Sequence, residues 1–292
     1  MSLGLCMGMC SSCKGCHGHS AAAVDTVRRV AAASGPPGYD LGAPKKYIMS
    51  ESLHEISGIC LLRGNADTLY AIEDEKGRLY SFHLGDNRFP SYKFGSHGDY
   101  EDVTILNDAE FVVLRSDGSL FVFPMGLIRG GDNRAVQPYL HILPRGEYEG
   151  LFGDAGGKLI ALCKNCPDDD QRDEVSGYVL QYRAGSGHKL AITDHFKVEV
   201  PAEKLHSIHK KIKFHPSALA RQPLTGDWYI VSSVNKVIVV LDDHWQVKGM
   251  YDLDPLLFKQ PEGLAFDKRG NMYISNEGVQ GNANVLYFSY KP

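Results

Sequence analysis

Four glutamates stand immediately ahead of, or at the start of, apolar runs in this 292-residue chain: Glu55 in HEISGI, Glu101 in YEDVTI, Glu149 in YEGLF and Glu262 in PEGLAF. A fifth run, PSALA, carries Ser217 at the corresponding place. Each run is followed by a second one whose end is polar: Glu73-Asp74-Glu75, Arg115-Ser116-Asp117, Cys163-Lys164-Asn165, Ser232-Ser233 and Asn276-Glu277. A single glutamate in such a turn would ordinarily accept backbone N–H bonds. Four that converge would raise one another's pKa and hold protons unless a cation neutralised them. An all-oxygen set brought from separate segments suits calcium, which takes six to eight oxygen ligands in irregular geometry. The expected calcium ligands are Glu55, Glu73, Asp74, Glu101, Glu149, Glu262, Asn276 and Glu277. These positions offer no His/Cys constellation, which argues against zinc or copper. Arg115 and Lys164 could hold an anionic group, with His215, Ser217 and Ser232 as further ligand contacts. In a hydrolytic reading Glu149 or Glu262 would act as general base. No G-x-S-x-G nucleophile motif is present, so a Ser/His/Asp triad has no support.

Chemistry of this kind requires elements that bring the five segments to one place. The anchors Glu55, Glu101, Glu149, Ser217 and Glu262 recur at intervals of 46, 48, 68 and 45 residues. Each unit holds a short strand, a turn, an apolar strand, a second turn and a third strand, followed by a more polar stretch such as PSYKFG, QPYLHILP, ITDHFKVEV or QVKGMYDL. Four antiparallel strands per unit of about 45 residues is the pattern of a propeller blade. The expected fold is therefore all-β: a single five-bladed β-propeller, with six blades as the alternative if the long interval hides a divergent one. That interval contains CPDDDQRDEVSG and PAEKLHSIHKKIKF, which read as insertions. After Glu262 the chain supplies only three strands, so KKYIMS (Lys45–Ser50) is expected to complete the last blade and close the ring. A β-sandwich would not explain why one register of Glu and turn residues recurs. In a propeller the innermost strand lines the central channel and the second strand returns to the same face. The carboxylates and the second-strand ends should then meet at one channel mouth.

The rest of the chain bounds the setting. Hydrophobic residues make up 43%, and 31 basic against 35 acidic residues leave a formal net charge of −4. No overall basic field draws the chain to nucleic acid or acidic membranes. Cys6, Cys10, Cys13 and Cys16 crowd the N-terminus, whereas a secreted disulfide framework would spread and pair its cysteines. The opening resembles a short leader, and CSSC at 10–13 partly resembles a lipobox with Cys13 as the lipidated residue. Cys13–His17 also matches C-x-x-C-H haem attachment, and the Cys/His cluster has zinc-like spacing. Residues 1–43 are expected to form leader and tether, with one short helix within Ser20–Ser34, and residues 44–292 the propeller. CKNC (Cys163–Cys166) leaves several readings open: a disulfide, a redox pair, half a zinc site, or a buried Cys163 beside an incidental Cys166.

The segments HEISGI, LYAIEDEKGRLYSF, GDYEDVTI, YEGL, ALCK, PSALA, LTGDWYIVSS, QPEGLAFDKRGNMYISNEG and ANVLYF resemble the SdiA-regulated family of bacterial β-propellers, from about residue 48 to 292. Ala218 stands where the family more often has glycine. The resemblance implies a propeller with a polar channel mouth, adds weight to calcium, and implies export to the periplasm or cell surface, with membrane contact only through a lipid anchor. It supplies no reaction. The expected function is a monomeric cell-envelope propeller whose calcium-bearing face binds a small anionic ligand or an envelope protein. The alternative is a calcium-dependent hydrolase of a phosphoester, ester or lactone at the same face.

Overall fold

The computed structural model describes residues 35–130, 133–167, 169, 174–183, 189–201, 213–278 and 281–292. Cys13, the helix expected within 20–34, most of the acidic run after Cys166 and residues 202–212 of the basic insertion lie outside them.

The first strand, β1 (Lys45–Ile48), precedes five repeating units. Blade one comprises β2 (Ile56–Leu61), β3 (Leu69–Glu73), β4 (Arg78–Phe82) and β5 (Ser91–Lys93). Blade two comprises β6 (Tyr100–Leu106), β7 (Glu110–Arg115), β8 (Ser119–Pro124) and β9 (Gln137–Tyr139). Blade three comprises β10 (Glu147–Gly153), β11 (Lys158–Asn165), β12 (Glu174–Arg183) and β13 (Lys189–Glu199). Blade four comprises β14 (Ala218–Arg221), β15 (Trp228–Ser232), β16 (Val237–Leu241) and β17 (Val247–Asp252). Blade five holds β18 (Pro261–Phe266), β19 (Met272–Asn276) and β20 (Asn284–Phe288), and β1 completes it by pairing antiparallel with β20, Lys45 opposite Tyr287.

The five-bladed ring with N-terminal closure is thus the observed architecture, and much of the long interval goes into β12 and β13 of blade three rather than a sixth blade. Among the described residues the only helical elements are short 3-10 turns, and no helix is long and apolar enough to cross a membrane.

Each pair of neighbouring blades encloses its own apolar core. One cluster joins blades one and two around Phe111 and Phe123, and a second joins two and three around Leu114 and Tyr148. A third joins three and four around Ile160 and Ile230, and a fourth joins four and five around Val231 and Ile274. The last joins five and one around Ile59 and Val285, so the ring is sealed by side chains as well as by β1. This explains why WYIVS and VIVVL are buried at every position: each middle strand meets a neighbouring blade on both of its faces. Burying a side chain such as Ile or Phe contributes about 1.5–3 kcal/mol, so five such cores dominate the stability.

The segment before β1 joins this packing. Tyr39 and Leu41 are buried in the core between blades four and five, and the Tyr39 hydroxyl donates to the Gly270 carbonyl at 2.5 Å. Inner strands are also tied to each other. Asp102 accepts the Leu151 N–H at 2.7 Å across blades two and three, and Thr104 Oγ1 accepts the Gly153 N–H at 2.9 Å.

Candidate functional site

A β-bulge at the start of the inner strand presents the site residues. Pairing of β6 with β7 skips from Tyr100 to Asp102 and leaves Glu101 in the bulge. The same skip leaves Glu149 out between Tyr148 and Gly150, and Glu262 between Pro261 and Gly263. A bulge re-aims its extra residue, here toward the channel mouth. In blade four, Ser217 directly precedes the Ala218–Val231 pair and occupies the equivalent place.

Blade one departs from the repeat read in the sequence. Ile56 pairs with Glu73 as Tyr100 pairs with Arg115, and pairing resumes only at Ile59. The bulge therefore holds Ser57 and Gly58, and Ser57, not Glu55, is the counterpart of Glu101. Its hydroxyl donates to the Glu101 carbonyl. Glu55 belongs to an outer tier, two residues ahead of the bulge, together with Asp99, Glu147, His215 and Gln260. Second-strand ends stand beside this tier: the Asp74 N–H donates to Glu55 O, Ser116 N–H to Asp99 O, and Glu277 N–H to Gln260 O.

The result is a cavity of about 180 Å³ whose lining includes Glu55, Asp74, Asp99, Glu101, Glu149, Glu262 and Glu277, with Lys164 as its one cation among the described residues. Seven carboxylates in this space cannot all ionise. Burial, then the neighbouring Glu149 and Asp99, push Glu101 up to about 10. Burial, then Glu149 and Glu277, push Glu262 to about 7. Burial, then Glu55 and Glu277, push Asp74 to about 7. Burial also raises Glu149, although Lys164 and the Ser217 hydroxyl pull it back. At neutral pH the mouth thus stores protons that a metal cation could replace. Glu149 Oε2 and Asp74 Oδ1 are buried without a hydrogen-bond partner, which is costly unless something else occupies the cavity.

The residues expected from the sequence divide into two groups. Glu55, Asp74, Glu101, Glu149, Glu262, Glu277 and Lys164 line the mouth, and Ser217 is buried with its hydroxyl lowering the pKa of both Glu149 and Glu262. The others are occupied elsewhere. Glu73 accepts the Lys76 N–H at 2.7 Å and the Lys76 ammonium at 3.1 Å, although a carboxylate oxygen stays within 4.8 Å of Glu55 and Asp74. Asn276 is buried, with Nδ2 donating to Asn284 at 3.2 Å and Oδ1 unpartnered. The Ser232 hydroxyl is used by Asn235 at 2.8 Å. His215 donates from Nδ1 to the Lys164 carbonyl at 3.1 Å, and burial lowers its pKa.

Arg115 makes two bonds to Asp117, at 3.0 and 2.7 Å, and stacks over Phe121. It therefore does not line the cavity, and an anion there would meet Lys164 alone. Asp99, Ser57 and Gln260 line the mouth without having been singled out in the sequence. For Asp99 and Gln260 the available signal was a polar residue two places before a Glu anchor. Cys163 and Cys166 form a disulfide with both sulfurs buried.

The opposite end of the channel has different chemistry. A cavity of about 240 Å³ there is walled by Ile59, Val103, Leu151, Leu219 and Leu264, with Arg63, Asp108 and Arg221 also lining it. The carboxylates therefore mark one face rather than the channel as a whole.

The SdiA-regulated family profile matches residues 191–281, from β13 to just past β19. No curated protein sequence matches the chain. Among solved structures, the PQQ-bound aldose sugar dehydrogenase of Streptomyces coelicolor superposes with a TM-score of 0.51 at 10% identity, covering 88% of this chain and 100% of that one. Regucalcin from Agrobacterium tumefaciens, a calcium-binding protein, gives 0.49 at 12% identity, over 85% of this chain and 96% of its own. Virginiamycin B lyase from Staphylococcus aureus gives 0.44 at 12%, over 85% and 70%. At such identities the likeness concerns the propeller fold and leaves ligand and reaction open.

Proposed function

We propose that this propeller is a cation-binding module whose acidic mouth holds calcium. The observation that carries the reading is Glu149 Oε2, a buried and unpartnered carboxylate oxygen in a cavity lined by seven acidic side chains. The donor set fits the ion: it is rich in hard oxygen ligands and no His or Cys lines it among the described residues. Glu101, Glu149 and Glu262 would hold the ion from the inner tier, with Asp74, Glu55 and Glu277 beside them. Bound calcium would supply charge neutralisation and a Lewis-acidic face. A small anionic ligand or an acidic group of an envelope partner would reach this mouth through the metal, because Lys164 is the one cation lining it among the described residues. The reading includes export, with the lipid at Cys13 holding the domain at the envelope.

A hydrolytic role is the second reading, favoured by one observation: Glu262, pushed to about 7, is suited to accept a proton from water near neutral pH. Isothermal titration with calcium, together with melts with and without chelator, tests the primary reading. Micromolar binding and a melt that falls with chelator are expected; no heat and an unchanged melt would refute it. Turnover of phosphoester, ester or lactone substrates, lost in Glu262→Gln, would establish the second reading.

A further inference from the structure

We propose that the Cys163–Cys166 disulfide sets the cation affinity of the acidic mouth by clamping Lys164 against Glu149. This deepens the cation reading above and rests on it. The disulfide closes the four-residue loop Cys163-Lys164-Asn165-Cys166, and the Lys164 ammonium extends from that loop to Glu149 Oε1. Among the cavity-lining residues described, the single cation is thus also the single residue enclosed by a disulfide.

The loop is held on several sides. Cys163 pairs with Tyr148 in the β10–β11 ladder, and Asn165 pairs with Glu147. His215, from the approach to blade four, donates to the Lys164 carbonyl at 3.1 Å. Gly146 packs directly on the sulfurs: a Cβ there would lie 2.5 Å from Cys166 Sγ and 3.0 Å from Cys163 Sγ. The backbone of Lys164 therefore has little freedom, which limits where its flexible four-carbon stem can place the ammonium. The second-strand ends of the other blades carry Asp74, Ser116, Ser233 and Glu277 at this place, with no clamp and no cation.

An ammonium fixed on Glu149 competes with any metal for that carboxylate and lowers the attraction of the whole mouth. Without the disulfide the loop loosens, Lys164 spends less time on Glu149, and the competition weakens. The clamp would thus hold calcium affinity below what seven carboxylates alone would give.

A double-mutant cycle tests the proposal. Calcium affinity is measured by titration calorimetry for the wild type, Lys164→Met, Cys163→Ser/Cys166→Ser and the triple variant. Lys164→Met, which keeps the disulfide, should bind roughly tenfold tighter, the size of effect expected from one lost charge pair. The double cysteine variant should bind tighter by part of that factor, and the cysteine substitutions should change nothing once Lys164 is Met. No tightening in Lys164→Met, or a cysteine effect of equal size in both backgrounds, overturns the proposal. Absence of binding in all four proteins overturns the cation reading and this control with it, whereas binding without coupling overturns the control alone.

A second readout needs no metal. The rate at which an amine-reactive reagent labels Lys164, followed by mass spectrometry, should rise several-fold in Cys163→Ser/Cys166→Ser, and an unchanged rate overturns the clamp. If that variant does not fold, the same labelling on wild-type protein before and after excess dithiothreitol decides the question.

Discussion

Lys164 neutralises one oxygen of Glu149 while the other stays buried and unpartnered. The pair crosses from the end of β11 to the bulge of β10, so one blade supplies both a carboxylate only 5% exposed and the only ammonium lining the mouth among the described residues. This half-satisfied carboxylate couples the electrostatics of the mouth to stability and to ligand binding.

Stability without metal should fall as pH rises. Glu262 and Asp74 titrate near 7 in the folded protein, against ordinary values of 4.5 and 3.8, and Glu101 near 10 against 4.5. Folding therefore takes up protons above about pH 4, and the stabilisation is lost as pH rises toward each folded value. For Glu262 alone the loss is on the order of 3 kcal/mol by pH 8, with Glu101 continuing to about pH 10. Chelator-treated protein should melt highest near pH 5, and calcium should flatten the profile. A melt that rises from pH 5 to 8 in chelator would contradict the assignment.

Glu262→Gln and Glu149→Gln should part company. Glutamine at 262 removes a carboxyl whose ionisation, centred near pH 7, costs the folded protein stability above that pH, so the metal-free protein should gain stability at pH 8 while calcium binding weakens about tenfold or more. Glutamine at 149 strands the Lys164 ammonium. That should cost about 2 kcal/mol, below the value for a fully buried pair because the Lys164 side chain is 32% exposed. Denaturation midpoints in chelator and titration calorimetry give both numbers; stability changes of the same sign would argue against this division of roles.

Asp102 should matter to the fold and little to the cation. It is buried, accepts the N–H groups of Val103 and Leu151, and joins blades two and three. Asp102→Ala leaves the Leu151 N–H unpaired between blades and should cost about 2 kcal/mol. Calcium affinity, measured below the melting transition, should stay within about twofold, since Asp102 does not line the cavity.

Tyr39 should anchor the segment ahead of β1. Its ring meets Tyr229, Phe266 and Tyr290, and its hydroxyl bonds to Gly270. Tyr39→Ala should cost about 3 kcal/mol. A chain begun at residue 44 should melt several degrees below one begun at residue 35, and equal melts would show that the packing contributes nothing.

The fold class, five blades as the leading count over six, and much of the acidic mouth were legible in the residues alone, and the strand pairing settled the count at five. Those features follow from local periodicity: each blade repeats the same alternation of apolar runs and turns, and a repeat that cannot bury its faces alone must stack on its neighbours. Glu101, Glu149 and Glu262 were legible for the same reason, because one position in a repeat maps to one position in the ring. Register and partnership were decided only in three dimensions. HEISGI and PEGLAF look alike, yet the strand pairing sets Ile56 against Glu73 as it sets Pro261 against Asn276, which gives the inner place to Ser57 and leaves Glu55 in the outer tier. Arg115 and Ser232 occupy the expected strand ends, but Asp117 and Asn235 take up their hydrogen-bonding groups. Whether Cys163 reaches Cys166, and whether Lys164 reaches Glu149, depends on packing around Gly146 and His215. A side chain commits to whichever partner the folded backbone brings nearest, and the spacing of residues along the chain does not specify that choice.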